Sequence, residues 1–219
     1  MNIAIVLYQR FTALDAIGPY EVLSRLPGAN VAFVAAEPGP LRTDNGMLTV
    51  LAERSLQDMP KPDIVLVPGG PGDVVANAGP AVLDWLKQAD RTSTWTTSVC
   101  TGSLILAAAG LLDGRRATSH WLAIEELCRL GALPVAERVV FDGKLVTAAG
   151  VSAGIDMALT LAARIAGDTV AQAIQLGIEY DPQPPFDAGS PLKAPTEVVE
   201  LLRSLSPRVQ EVEAHPPAR

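Results

Sequence analysis

One junction constrains this chain more than any other feature. Residues 94–99 are β-rich and run straight into Cys100, and residues 102–112 are small, apolar and helical. A strand therefore feeds a helix with no loop between them. The residue at such a junction is forced into a sparsely populated backbone conformation, as in the nucleophile elbow of hydrolases. Ser98, two residues before Cys100, and Gly102, two after, supply the small neighbours that a tight turn needs. Other short apolar runs, 3–7, 31–35 and 64–67, alternate with helical stretches at 14–26 and 80–90, the latter with Pro80 in its first turn. Buried strands separated by helices predict an α/β fold: a doubly wound, mostly parallel sheet sandwiched by helices.

The rest of the chain is read the same way. Residues 117–118 form a short strand and 121–130 a helix. Residues 139–141 and 144–147 flank Asp142-Gly143, a strong hairpin signal. Residues 152–166 and 168–176 are helices separated by Gly167. The Pro-rich stretch 181–195 is a surface loop, and 198–205 is a terminal helix. At 219 residues and 48% hydrophobic, the chain suits a single domain over 1–219, with about 206–219 frayed. No apolar run is long enough to span a bilayer, so no membrane association is expected. The first eight residues are too short, and lack the basic flank, for a signal peptide; a cytoplasmic protein is expected. The net charge of −7 argues against nucleic acid as a partner. The two cysteines, Cys100 and Cys128, make no metal-ligand pattern and should stay reduced in the cytoplasm.

Cys100 is the candidate nucleophile. The N-terminus of the following helix points free N–H groups at the sulfur and is expected to favour thiolate over thiol. A buried, inert cysteine is the alternative, and the context of strand, Cys, small residue, Gly and helix favours the reactive one. Cys128, between Leu127 and Leu130 inside a helix, reads as structural. Thr12-Ala13-Leu14-Asp15 fits a capping box, in which the Asp15 carboxylate closes back on its own helix. Pro68-Gly69-Gly70-Pro71-Gly72 is either a plain strand-ending turn or a place where backbone N–H groups approach a ligand. It is not a P-loop, because no Gly-Lys-Ser/Thr follows. His120 is either a partner for Cys100 or a hydrogen-bonded core histidine beside Trp121.

Taken together, Ile64-Val65-Leu66-Val67-Pro68-Gly69-Gly70, then Val99-Cys100-Thr101-Gly102, then Ala117-Thr118-Ser119-His120-Trp121 resemble the ThiJ/PfpI superfamily. Leu14-Asp15-Ala16-Ile17-Gly18-Pro19 is similar to its branch containing isonitrile (isocyanide) hydratases and the sensor domains of some AraC-type regulators. The resemblance covers roughly residues 1–180. It implies a flavodoxin-like, class I glutamine amidotransferase-like fold and, commonly, a homodimer. Asp15 stands where many superfamily members carry Glu, a departure that disfavours the deglycase-like and chaperone-like activities of the Glu-bearing members. The resemblance also implies that the Asp15 carboxylate lies near Cys100, and that the Gly70 and Thr101 amides form the pocket for developing negative charge.

The expected activity is hydration of a small, apolar isonitrile to an N-substituted formamide through a thioimidate on Cys100, with Asp15 shuttling protons. His120 stays outside the main roles, and no metal or organic cofactor is implied. The alternatives are a ligand-binding sensor domain, a cysteine amidase or peptidase using His120, and a redox-responsive protein whose cysteine is oxidised.

Overall fold

The computed structural model describes residues 1–206. In chain order the elements are β1 (Asn2–Val6), α1 (Ala13–Leu23), β2 (Asn30–Ala35), β3 (Gly39–Arg42), β4 (Thr49–Ala52), β5 (Arg54–Ser55), β6 (Ile64–Val67), α2 (Val74–Asp90), β7 (Trp95–Val99) and α3 (Gly102–Ala108). There follow β8 (Arg116–Ala117), α4 (Ile124–Arg129), β9 (Leu133–Pro134), β10 (Val139–Asp142), β11 (Leu145–Ala148), α5 (Ala153–Ala166), α6 (Asp168–Gly177) and α7 (Thr196–Leu205). Residues Met1–Glu179 make one compact unit and a second begins at Tyr180. In the second unit residues 181–195 form neither helix nor strand, as expected, and lead into α7. The expected frayed tail lies, apart from Ser206, outside the described residues.

The first unit is built on a seven-stranded sheet in the order β10-β11-β7-β6-β1-β2-β5. Every pairing is parallel except β10 with β11, the hairpin signalled by Asp142-Gly143. The step from β1 to β2 runs one way along the sheet and the step from β6 to β7 the other. Right-handed crossovers in opposite directions put α1 and α2 on opposite faces. Helix α5 packs on α1 and α6 on α5, while α3 packs on α2 and α4 on α3, which completes two helical layers. The strand order reverses between β1 and β6, and the carboxyl ends of the strands there are where open α/β sheets bind ligands.

Burial explains the strand sequences. Ile3, Ala4, Ile5 and Val6 are all buried, as is the whole of β6, because both faces are covered; such strands read as unbroken apolar runs. In β7, Thr96, Thr97 and Ser98 are fully buried despite their hydroxyls. Thr97 Oγ1 donates to the Val65 carbonyl at 2.9 Å and Thr96 Oγ1 to Asp90 at 2.7 Å, so two of the three hydroxyls are satisfied.

Several elements differ from expectation. Helix α2 starts six residues before Pro80, capped by Asp73, whose Oδ1 accepts from the Ala76 amide at 3.0 Å. Gly79, at φ +77°, then breaks the helix, and Pro80 opens its second part. Helix α3 stops at Ala108 rather than 112; Gly110, at φ +77°, redirects the chain. The antiparallel hairpin of β3 and β4 has no counterpart in the expected elements. Its strands are four residues each and alternate between exposed and at least half-buried positions, while Gly39-Pro40-Leu41-Arg42 and Thr49-Val50-Leu51-Ala52 show no apolar-polar alternation to read. No helix among the described residues is long and apolar enough to cross a membrane.

Candidate active site

Cys100 sits at φ +58°, the left-handed conformation that the strand-to-helix junction demands. The strain is held from both ends. The Cys100 amide is shared between the Ala148 and Ala149 carbonyls at 3.1 and 3.0 Å, and the Cys100 carbonyl accepts from Ser103 Oγ at 3.2 Å and Ser119 Oγ at 3.0 Å. Gly102 is obligatory for packing: a Cβ there would lie 2.2 Å from the Val67 carbonyl oxygen. The loop after β6 closes on the same turn. A Cβ on Gly69 would lie 2.5 Å from both the Thr101 amide nitrogen and Thr101 Oγ1. The Gly70 amide, expected as a free donor beside the Thr101 amide, is instead spent on Thr101 Oγ1 at 2.9 Å, while that hydroxyl donates to the Gly70 carbonyl at 2.8 Å. Gly70 and Thr101 are thus joined as a clasp across the ends of β6 and β7.

Asp15, in the first turn of α1, is wholly buried. It does not close on its own helix: Thr12 makes no side-chain cap, and Asp15 Oδ2 accepts from the Gly69 amide at 2.9 Å. Oδ1 is buried without an aligned hydrogen bond. The Cys100 thiol is close enough to act on the same carboxylate. Burial pushes the Asp15 carboxyl up to about 7, the Asp44 charge adds to the rise, and the Gly69 amide and the Cys100 thiol pull it back.

The expected thiolate is corrected by the same geometry. Burial, and then the Asp15 charge, push the Cys100 thiol up to about 12, against the pull of the Val151 and Thr101 amides. A seven-residue helix offers too weak a field to offset the loss of hydration. Through the neutral range the resting pair is a Cys100 thiol beside an Asp15 carboxyl that titrates first.

His120 has contacts of its own in the turn that follows it. Its Nδ1 accepts from the Leu122 amide at 3.3 Å, which starts the turn at residues 121–123. Its ring lies against Gly150, where a Cβ would come within 2.7 Å of His120 Cδ2, and 5.9 Å from the Trp121 ring. Asp15 is an ionisable group that acts on the Cys100 thiol.

Sequence reasoning missed two participants. Val151, between β11 and α5, holds φ +34°, an outlier for a β-branched residue, and its amide reaches the Cys100 sulfur. Gly150, just before it, is a local signal for a tight turn, but nothing local says that the turn faces Cys100. Asp44 belongs to the Asp44-Asn45-Gly46 turn between β3 and β4. Those residue types announce a turn and carry no information about what it packs against.

The fold that carries this site has counterparts among known proteins. The chain belongs to the DJ-1/PfpI family, whose model matches residues 1–164. It is 44% identical over 203 residues to the isonitrile hydratase of Pseudomonas putida, covering 93% of this chain and 89% of that protein. It is also 35% identical to the HTH-type transcriptional regulator CdhR of Pseudomonas aeruginosa, over 72% of this chain and only 48% of the regulator. Among solved structures, a ThiJ/PfpI family protein from Pseudomonas syringae superposes with a TM-score of 0.89 at 36% identity, covering 97% of this chain and 86% of that one.

Proposed function

We propose that this protein hydrates isonitriles to N-substituted formamides, with Cys100 as nucleophile and Asp15 as proton carrier. The observation that carries the reading is the Asp15 carboxyl itself: fully buried, acting on the Cys100 thiol, and titrating near 7. A group that must both take and give protons works best with a pKa near the operating pH. The 44% likeness to an isonitrile hydratase over nearly the whole chain supports the same substrate class.

The chemistry balances with these two side chains and one water. The terminal carbon of R–N≡C accepts a soft nucleophile. As Sγ bonds to it, the thiol proton passes to the Asp15 carboxylate, and Asp15 delivers it to the same carbon. The product is a thioformimidate, R–N=CH–S–Cys100. Water then adds to that carbon while Asp15 relays a water proton to nitrogen. The resulting R–NH–CH(OH)–S–Cys100 collapses, its C–S bond breaks, and the hydroxyl proton returns to sulfur. One water has been added, and R–NH–CHO leaves. The Thr101 and Val151 amides stabilise charge on sulfur as it develops, and Gly70 fixes Thr101 through its hydroxyl.

The amidase reading is less well supported. It needs His120 as the base, yet the His120 Nδ1 already accepts from the Leu122 amide at 3.3 Å. A sensor that binds a ligand reversibly has no need of a carboxyl tuned to neutrality at a thiol. The test is formamide production from simple aliphatic and aromatic isonitriles. Turnover by the wild type, lost in Cys100→Ala, is expected. No formamide from any of them, with Cys100-dependent cleavage of an amide instead, would overturn the reading.

A further inference from the structure

A second carboxylate is tied into the ground on which Asp15 stands. Asp15 lies in a closed ring of three hydrogen bonds. Its amide donates to the Thr12 carbonyl at 3.1 Å, the Thr12 amide donates to the Gly69 carbonyl at 2.8 Å, and the Gly69 amide donates to Asp15 Oδ2 at 2.9 Å. The Thr12 hydroxyl, free of any capping duty, leaves this ring and donates to Asp44 Oδ2 at 2.9 Å. The turn carrying Asp44 is itself anchored: the Asp44 amide donates to the Phe11 carbonyl at 3.0 Å, and buried Thr43 forms a β-bridge to Phe11. Asp44 is therefore fixed by backbone on one side and fastened through Thr12 to the start of α1 on the other.

We propose that Asp44 is a positioning residue for Asp15: it holds the Thr12 end of α1 against the Gly69 loop, and its negative charge favours the protonated Asp15 carboxyl. Two like charges near one buried site resist being ionised together. The titratable groups that bear on Asp15 are the Cys100 thiol, from the turn between β7 and α3, and Asp44, from the turn between β3 and β4. Neither β1 nor α5, the elements packed on α1, brings a free cation, and the Arg42 guanidinium at the start of the Asp44 turn donates to the Gly46 carbonyl at 2.8 Å. Strand β1 carries no charged residue, and the two charged residues of α5 are engaged elsewhere, Asp156 with Arg138 and Arg164 over the Phe141 ring. On α1 itself, Glu21 pairs with Arg25 at the surface.

The two halves of this device come apart with two substitutions in the full chain. Asp44→Asn removes the charge but keeps a carbonyl oxygen to accept the Thr12 bond. Thr12→Val removes the bond and keeps the charge. The first readout is the midpoint of the Asp15 side-chain carboxyl followed by 13C NMR, with the resonance assigned by its loss in Asp15→Asn. The second is the pH profile of formamide production; only this arm rests on the hydratase reading, and the NMR midpoint decides the charge effect whether or not isonitriles are turned over. Asp44→Asn is expected to lower the Asp15 midpoint, and with it the acidic limb of the profile, by roughly half a pH unit or more. Asp44→Ser carries the same expectation should the Asn variant fail to fold, as judged by circular dichroism. Thr12→Val is expected to lower the plateau rate several-fold while its acidic limb stays closer to wild type than that of Asp44→Asn. A midpoint unmoved in folded, charge-removed variants would overturn the electrostatic half. A plateau rate unmoved in Thr12→Val, in a protein that does hydrate isonitriles, would overturn the tether.

Discussion

The two thiols of this chain sit in opposite surroundings. Cys128 is exposed on α4, within reach of any reagent in solution. Cys100 is 5% exposed, clamped at φ +58°, and has its thiol raised to about 12 by burial and by Asp15. Access, and the protonated state in which Cys100 is held, make Cys128 the better nucleophile at rest. What Cys100 has instead is a proton acceptor tuned to neutrality at its side and amides aimed at its sulfur. The difference teaches that resting reactivity and catalytic competence can part company. A thiol that hands over its proton only as the new bond forms spends little time as an oxidisable, alkylatable thiolate.

The largest effect should separate the two thiols outright. Cys100→Ala is expected to abolish formamide production, whereas Cys128→Ala leaves turnover at the wild-type level. Activity surviving in the first or lost in the second would break the comparison at its root. Next in size is Asp15→Asn, expected to lower turnover by roughly 10²- to 10⁴-fold, the usual worth of a positioned proton-transfer group. The amide side chain still accepts from Gly69, so the fold should persist.

A third expectation concerns stability and separates Asp15 from ordinary surface carboxylates. Its folded pKa of about 7 lies above the ordinary 3.8, so the folded chain holds a proton that the unfolded chain releases. This contribution is therefore fully present below pH about 4, is lost as pH rises through about 7, and stays lost above that. The loss amounts to about 4 kcal/mol at most. Denaturant melts across pH should show wild type losing stability relative to Asp15→Asn over that window. Parallel curves for the two proteins would mean that Asp15 is ionised well below neutrality.

How much of this was written in the sequence divides along the range of the interactions. The β1 and β6 runs, the hairpin at Asp142-Gly143 and the Cys100 turn are local patterns, and local sequence determines them. Asp15 was legible as a carboxylate near a helix start; its bond to Gly69 was not, because the capping box is a local competitor of equal plausibility. The ionisation of Cys100 was misjudged because a helix N-terminus can be seen in the sequence while the depth of burial and a facing carboxylate cannot. The Gly70 amide was expected to be free because the Thr101 hydroxyl that occupies it comes from 31 residues away. Asp44 and Val151 were invisible for the same reason: each acts on a group far along the chain.

The smallest effect tests the comparison most finely, because it asks how Asp15 acts on the resting thiol. With iodoacetamide near neutral pH, Cys128 should be labelled several-fold faster than Cys100, by mass mapping, since Cys128 is exposed and Cys100 is buried and held protonated. Cys128 then serves as an internal reference for the Asp15→Asn variant. In wild type above pH 7 the Asp15 carboxylate is charged and disfavours a second charge on Cys100. Removing that charge should lower the Cys100 pKa and speed its labelling at about pH 9, even as turnover collapses. Opposite changes in labelling and turnover would mark Asp15 as a brake on the free thiolate and a carrier of protons during the reaction. Slower labelling in Asp15→Asn would mean that the carboxylate also accepts the thiol proton when an alkylating agent attacks. The distinction drawn between the two cysteines would then be one of access alone.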